Sequence, residues 1–136
     1  MIGDWLDYDT PLERVCAFAE KTYPKPPKFS PYIGDDSATK WAAKLRSSIA
    51  GDYAWRLDHA DNNTEIARMS KEADFAFRQA FALCPYSPEA VFRYVDLLTK
   101  KGRIPDALLV AQTASKLEPD NGTFKDLIRS LNSMSK

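Results

Sequence analysis

Histidine occurs once, as His59, and cysteine twice, as Cys16 and Cys84, in a chain of 136 residues. A metal site built from several histidines is thereby excluded. A Ser-His-Asp triad has a single candidate base, in the polar run Asp58-His59-Ala60-Asp61, which reads as a loop. Two thiols 68 positions apart form neither a disulfide framework nor a zinc spacing. Cys84 falls in an apolar helical phase and is expected as a small buried side chain. The five glycines are scattered, so no Gly-rich phosphate loop is present. The longest apolar runs, Ala80–Cys84 and Ala107–Ala111 among them, are five residues each, against roughly 20 for a membrane span. The start, Met1-Ile2-Gly3-Asp4-Trp5-Leu6-Asp7, is acidic and lacks the basic opening and apolar stretch of a signal peptide.

Excess charge is missing too. Nineteen Lys and Arg balance nineteen Asp and Glu. Residues 1–37 carry four basic and seven acidic groups, 38–121 carry twelve and eleven, and 122–136 carry three and one. No segment is a basic patch, which argues against nucleic-acid binding. At 44% hydrophobic and 28% charged the composition is that of a globular protein. The length suits one domain.

Helical periodicity fills most of the chain. Thr10-Pro11-Leu12-Glu13 predicts a capped helix running to Tyr23, with Leu12, Val15, Cys16, Phe18 and Ala19 on its apolar side. Pro24, Pro26, Pro27 and Pro31 make residues 24–37 an extended strap, whose Phe29, Tyr32 and Ile33 are expected to pack on the helices that follow. Asp36 or Ser37 caps a second helix. There Trp41, Leu45, Ile49 and Tyr53 recur at i+4 and read as the buried face. Ile66, Met69, Ala73, Phe77, Ala80 and Cys84 carry a third helix opened by Asn63 or Thr64. A fourth starts at Ser87-Pro88, carries Val91, Tyr94, Val95 and Leu98, and ends at Gly102. A fifth starts at Pro105, and a sixth is capped by Thr123 with Asp126 three residues on. No β-like alternation of useful length occurs, so the expected fold class is all-α.

Four identities share one offset. Ala73, Ala80, Leu83 and Pro85 map onto Ala107, Ala114, Leu117 and Pro119, each 34 residues later. The series Ala73, Phe77, Ala80, Pro85 and its copy Ala107, Ala111, Ala114, Pro119 resemble the second helix of the tetratricopeptide repeat, a 34-residue helix–turn–helix. The resemblance covers about residues 40–136. It implies an α-solenoid with a hairpin over 38–87, a repeat over 88–121 with Gly102 at its turn, and a capping helix over 122–136. The first hairpin departs from the family pattern in its long first helix and in the turn at Asp58–Asn63. Residues 1–37, helix and strap, are expected to cover the open N-terminal end of the stack.

A looser resemblance joins the stretch from Lys44 to Gly51 and the stretch from Glu72 to Ala90 to the soluble C-terminal region of uncharacterised bacterial multi-pass membrane proteins that resemble glycosyltransferases. It implies an accessory domain with no ligand of its own, tethered to a membrane part outside this chain.

Catalytic candidates are poor. Asp4, Asp7 and Asp9 lie near a terminus, and Asp35-Asp36 reads as a cap, so no enzyme activity, metal or cofactor is expected. Asn62-Asn63-Thr64 and Asn121-Gly122-Thr123 match the glycosylation triplet but double as helix starts. The repeat resemblance implies a concave surface for a protein or peptide partner, lined by Glu89, Phe92, Arg93, Asp96 and Thr99, with Thr123 and Asp126 from the capping helix. Phe92 lies off the stripe of Val91, Tyr94, Val95 and Leu98. It is either an aromatic anchor for a partner or a residue packed on the neighbouring hairpin. Asp96 would repel a peptide carboxylate, so no carboxylate clamp is expected. A monomer is the expected state, with self-association through Phe92 as the other arrangement.

Overall fold

The computed structural model describes residues 5–23 and 38–136 in full and residues 33–37 as backbone. Six helices follow in order: α1 (Leu12–Thr22), α2 (Ile33–Asp58), α3 (Asn63–Leu83), α4 (Pro88–Lys100), α5 (Ile104–Leu117) and α6 (Gly122–Met134). Among the described residues there is no strand, so the protein is all-helical. The strap expected over 24–37 lies outside the described residues as far as 32. From Ile33 onward the backbone is already helix. The second helix thus starts several residues before the expected cap, because no proline follows Pro31 to interrupt it.

The helix ends follow local chemistry. Asn62 caps α3, its side-chain oxygen accepting the Glu65 N–H at 2.8 Å, and Asn121 caps α6 by accepting the Thr123 N–H at 3.0 Å. Each uses a glycosylation-triplet asparagine as a cap. Thr10 does not form the expected capping box. Its hydroxyl accepts the Asp7 N–H and donates to the Asp7 carboxylate, closing a turn ahead of α1, while Pro11 takes the cap position. Gly102 adopts φ +73°, which a β-carbon would disfavour. With it, the Arg103 N–H reaches the Leu98 carbonyl and the Gly102 N–H the Thr99 carbonyl, a Schellman end to α4.

Packing runs pairwise. α2 pairs with α3, α4 with α5, and α6 closes on α5; α3 and α2 both touch α4. α4 buries Val91, Tyr94, Val95 and Leu98, the expected stripe. Fully burying a side chain such as Leu98 contributes about 1.5–3 kcal/mol. Ala73, Ala80, Ala107 and Ala114 are completely buried. Lacking side chains beyond Cβ, they allow close approach of neighbouring backbones. Cys84 is buried as expected.

Two expectations are corrected. The strap half of the expected end cover lies outside the described residues, and its helix, α1, is seated elsewhere than on α2. Among the described residues it packs on α3 and α5, which do not touch each other, and it does not touch α2. Its buried Leu12, Val15, Cys16 and Ala19 fill the space between them, and two long-range bonds hold it there. Tyr23 donates to the Leu83 carbonyl at 2.8 Å and Lys116 pairs with Glu20 at 2.8 Å.

The second correction concerns α2. Trp41, Leu45 and Ile49, read as its buried face, are 62%, 63% and 42% exposed. The face that packs is Ala43, Ser47 and Ala50, with Ala54 and Leu57 continuing it half-buried. Those five recur at steps of four, three, four and three, also a helical stripe. α2 pairs with α3 more extensively than any other two helices do, and the side chains it buries fully are small ones.

Candidate functional site

A groove of about 560 Å³ lies between α2 and α4. Gly51, Ala54 and Leu57 form its α2 wall. Phe92, Arg93, Asp96 and Leu97 form the α4 wall, with Phe77 of α3 also lining it and Lys100 and Lys101 at one end. The walls exist because α4 alternates between its buried stripe and a flank of mixed chemistry. Gly51 and Ala54 on α2 leave the space open.

Three of the residues named from the sequence meet in this groove: Phe92, Arg93 and Asp96. Phe92 stacks on Phe124 of α6, ring centroids 6.2 Å apart, and it also lines the groove. Arg93 pairs with Glu89 at 3.1 Å and extends toward the Ser47 carbonyl at 3.5 Å. Asp96 pairs with Lys100 at 3.0 Å, and the hydrogen bond that Lys100 donates to Asp96 raises the ammonium's pKa above its ordinary value. Burial works the other way on Lys101 and lowers it. Glu89 joins the site only through Arg93. Thr99 and Asp126 do not line the groove, and Asp126 is turned to Arg129 at 3.0 Å on an exposed face. Exposed i,i+4 pairs such as Glu89–Arg93 and Asp96–Lys100 contribute only about 0.3–0.5 kcal/mol, so a ligand can reorganise them at little cost.

The remaining candidates are engaged elsewhere. Hydrogen bonds from the Thr10 hydroxyl and the Asp9 N–H hold the Asp7 carboxyl below its usual range, as part of a turn. The side chains of Asp4, Asp35 and Asp36 lie outside the described residues. His59 stacks on Trp55, centroids 4.2 Å apart, with Nδ1 2.8 Å from the Trp55 carbonyl oxygen at the end of α2. Among the described residues no group of three His, Cys, Asp or Glu could hold a metal.

The sequence reading missed the polar centre of the fold. Asp74, on α3, accepts from Arg78 at 2.6 Å, from Arg103 at 2.9 Å and from the Tyr94 hydroxyl at 3.1 Å. Arg78 also donates to the Thr10 carbonyl, and Arg103 to Asp106 at 2.8 Å. Burial, with the Asp74 carboxylate second, pushes the Tyr94 hydroxyl pKa far up, so Tyr94 stays a donor. The signal was available as an Asp and an Arg four apart inside an apolar helical phase, a spacing that closes an ion pair on one face.

No protein-family model, curated protein or solved structure matches the chain.

Proposed function

We propose that the protein is a non-catalytic binding module that takes a protein or peptide segment in the groove between α2 and α4. The observation that carries this reading is the convergence of Phe92, Arg93 and Asp96 on one open groove with an apolar lining of Phe77, Leu57 and Leu97. Such a groove suits a segment that inserts one apolar side chain and meets charges of both signs at its rim.

The reading goes with a tetratricopeptide-like arrangement, in which α2/α3 and α4/α5 are successive hairpins and α6 is the cap. The 34-residue offset between paired buried alanines supports it, as does the contact between α2 and α4, the first helix of each hairpin. In such a stack the first helices line the concave side, and the groove is bounded by those two helices. The 26-residue α2 and the insertion of α1 between α3 and α5 are departures from that pattern.

The test is selection from a displayed peptide library on the whole chain, followed by titration of the enriched peptides against Phe92→Ala and Arg93→Ala. Peptides that share an apolar anchor and lose at least about tenfold in affinity with Phe92→Ala support the groove. Equal binding to all three proteins, or no enrichment by a folded chain, overturns it.

A further inference from the structure

The side of α2 turned away from α3 is uncovered among the described residues and carries large apolar side chains between charged ones. Trp41, Leu45 and Trp55 are 62%, 63% and 63% exposed. Together with exposed Lys44, Ser48 and Asp52 they fall within about 100° of arc at 3.6 residues per turn. Singly exposed apolar residues need no explanation, whereas two tryptophans and a leucine exposed along one side of a helix point to an interaction surface.

The order of residues along this stripe identifies what fits it. Trp41 and Trp55 each stand seven residues from Ser48, and Lys44 and Asp52 each stand four residues from it. The stripe thus reads tryptophan, cation, serine, anion, tryptophan. Between 38 and 48 the charged residues are Lys40, Lys44 and Arg46, all basic; from 49 to 58 two of the three, Asp52 and Asp58, are acidic. A second α2 laid parallel would set Lys44 against Lys44 and Asp52 against Asp52. Laid antiparallel about a two-fold axis at Ser48, it sets each Lys44 against the other Asp52 and each Trp41 against the other Trp55.

We infer that the α2 stripe is a homodimer interface, occupied by α2 of a second copy running antiparallel. Self-complementarity of this kind is what a two-fold interface requires, since residue i meets j while j meets i. The two tryptophans are about 21 Å apart along the helix axis, and aromatic side chains bury about 150–250 Å² each. A stripe with two of them plus Leu45 on each copy is at the lower end of the roughly 1,000 Å² in total that a specific interface needs. The association is therefore expected to be concentration-dependent. Lys44 lies over the Trp41 ring at 5.3 Å, which keeps its ammonium beside the apolar stripe. The groove between α2 and α4 opens on another flank of α2, so this inference does not rest on the proposed peptide binding.

Sedimentation velocity of the whole chain from about 5 to about 500 µM tests it. The weight-average mass should rise from 15.3 kDa toward twice that value. Trp41→Ala/Trp55→Ala should remain monomeric with unchanged helix content by circular dichroism. Lys44→Glu alone and Asp52→Lys alone should each weaken association at least about tenfold through like-charge contacts. Mixing the two variants should restore it, because both cross-pairs are then again opposite in sign. A monomer at every concentration, or a dimer that survives Trp41→Ala/Trp55→Ala, overturns the inference. A mixture that does not regain association overturns the antiparallel arrangement. Binding of the monomer to vesicles of anionic phospholipid, lost in the tryptophan variant, would assign the stripe to a lipid surface instead.

Discussion

Gly51 and Arg93 face each other across the groove. A β-carbon on Gly51 would come within 3.3 Å of the Arg93 Nη1. The arginine reaches the Ser47 carbonyl only because position 51 has no side chain. Gly51→Ala is expected to move the guanidinium while raising stability by about 0.5–1 kcal/mol, the gain of alanine over glycine inside a helix. Thermal denaturation reads the gain, and titration with a groove-binding peptide reads the altered rim. A fall in stability would show that the guanidinium cannot give way.

Asp74 is the acceptor that three donors share. Asp74→Ala leaves Arg78 buried without its carboxylate and strips Tyr94 and Arg103 of a partner. The expected loss is about 3–5 kcal/mol, the scale for breaking a buried pair from one side. Urea denaturation at neutral pH measures it. A loss under about 1 kcal/mol would mean the cations find other partners.

On α2 the ordinary rule of apolar substitution should be inverted. Ala50→Leu adds volume to a position with no exposed surface and is expected to cost about 1–3 kcal/mol or more. Leu45→Ala removes a large apolar side chain that is mostly exposed and should shift stability by less than about 0.5 kcal/mol at dilute concentration. Denaturation midpoints of the two variants, measured side by side, check the order. Leu45→Ala proving the more damaging would put the stripe back in the core.

Alkali should loosen the fold before it reaches most exposed groups. Burial raises the Cys16 thiol from 9.0 to about 11, and burial raises the Tyr23 hydroxyl from 10.0 to about 12. Between the unfolded and folded values the unfolded chain binds fewer protons than the native one, so stability falls as pH rises. The contribution of both groups is fully present below about pH 9 and disappears through about pH 11 to 12. Urea midpoints should therefore be level from pH 7 to 8.5 and lower at pH 10.5. Alkylation of Cys16 in the native protein should be correspondingly slow. A level stability curve to pH 11 would contradict the assigned burial.

Much of the helical frame can be read from residue order, because large apolar side chains at helical spacing and proline at the joints carry strong local signals. Val91, Tyr94, Val95 and Leu98 illustrate this, as do the alanines repeated 34 residues apart. The packed side of α2 could not be read the same way. Ala43, Ser47 and Ala50 bury little apolar area each, and Trp41, Leu45 and Ile49 outweigh them in any count of hydrophobicity. What decides the matter is the distance of approach between α2 and α3, a tertiary quantity. In the groove, Phe92 was legible as lying off the apolar stripe of α4, whereas Asp96, with Arg93 beside it, came from the repeat register. Gly51 and Ala54 were not legible, since their contribution is the volume they leave empty. Thr99 and Asp126 were assigned by repeat register alone, and register does not fix which flank of a helix borders an opening.

The position of α1 bears on how such a chain can change over time. Arrays of like hairpins grow by duplication when each unit touches only its neighbours in sequence, since a new copy then inserts without disturbing older contacts. Here α1 wedges between α3 and α5, and Asp74 ties that wedge's leading turn, through Arg78, to the helix after Gly102. Adding or removing a hairpin between α3 and α4 would pull the wedge from one of its walls. The molecule is closed to lengthening at that joint, and it should unfold in a single step instead of fraying hairpin by hairpin.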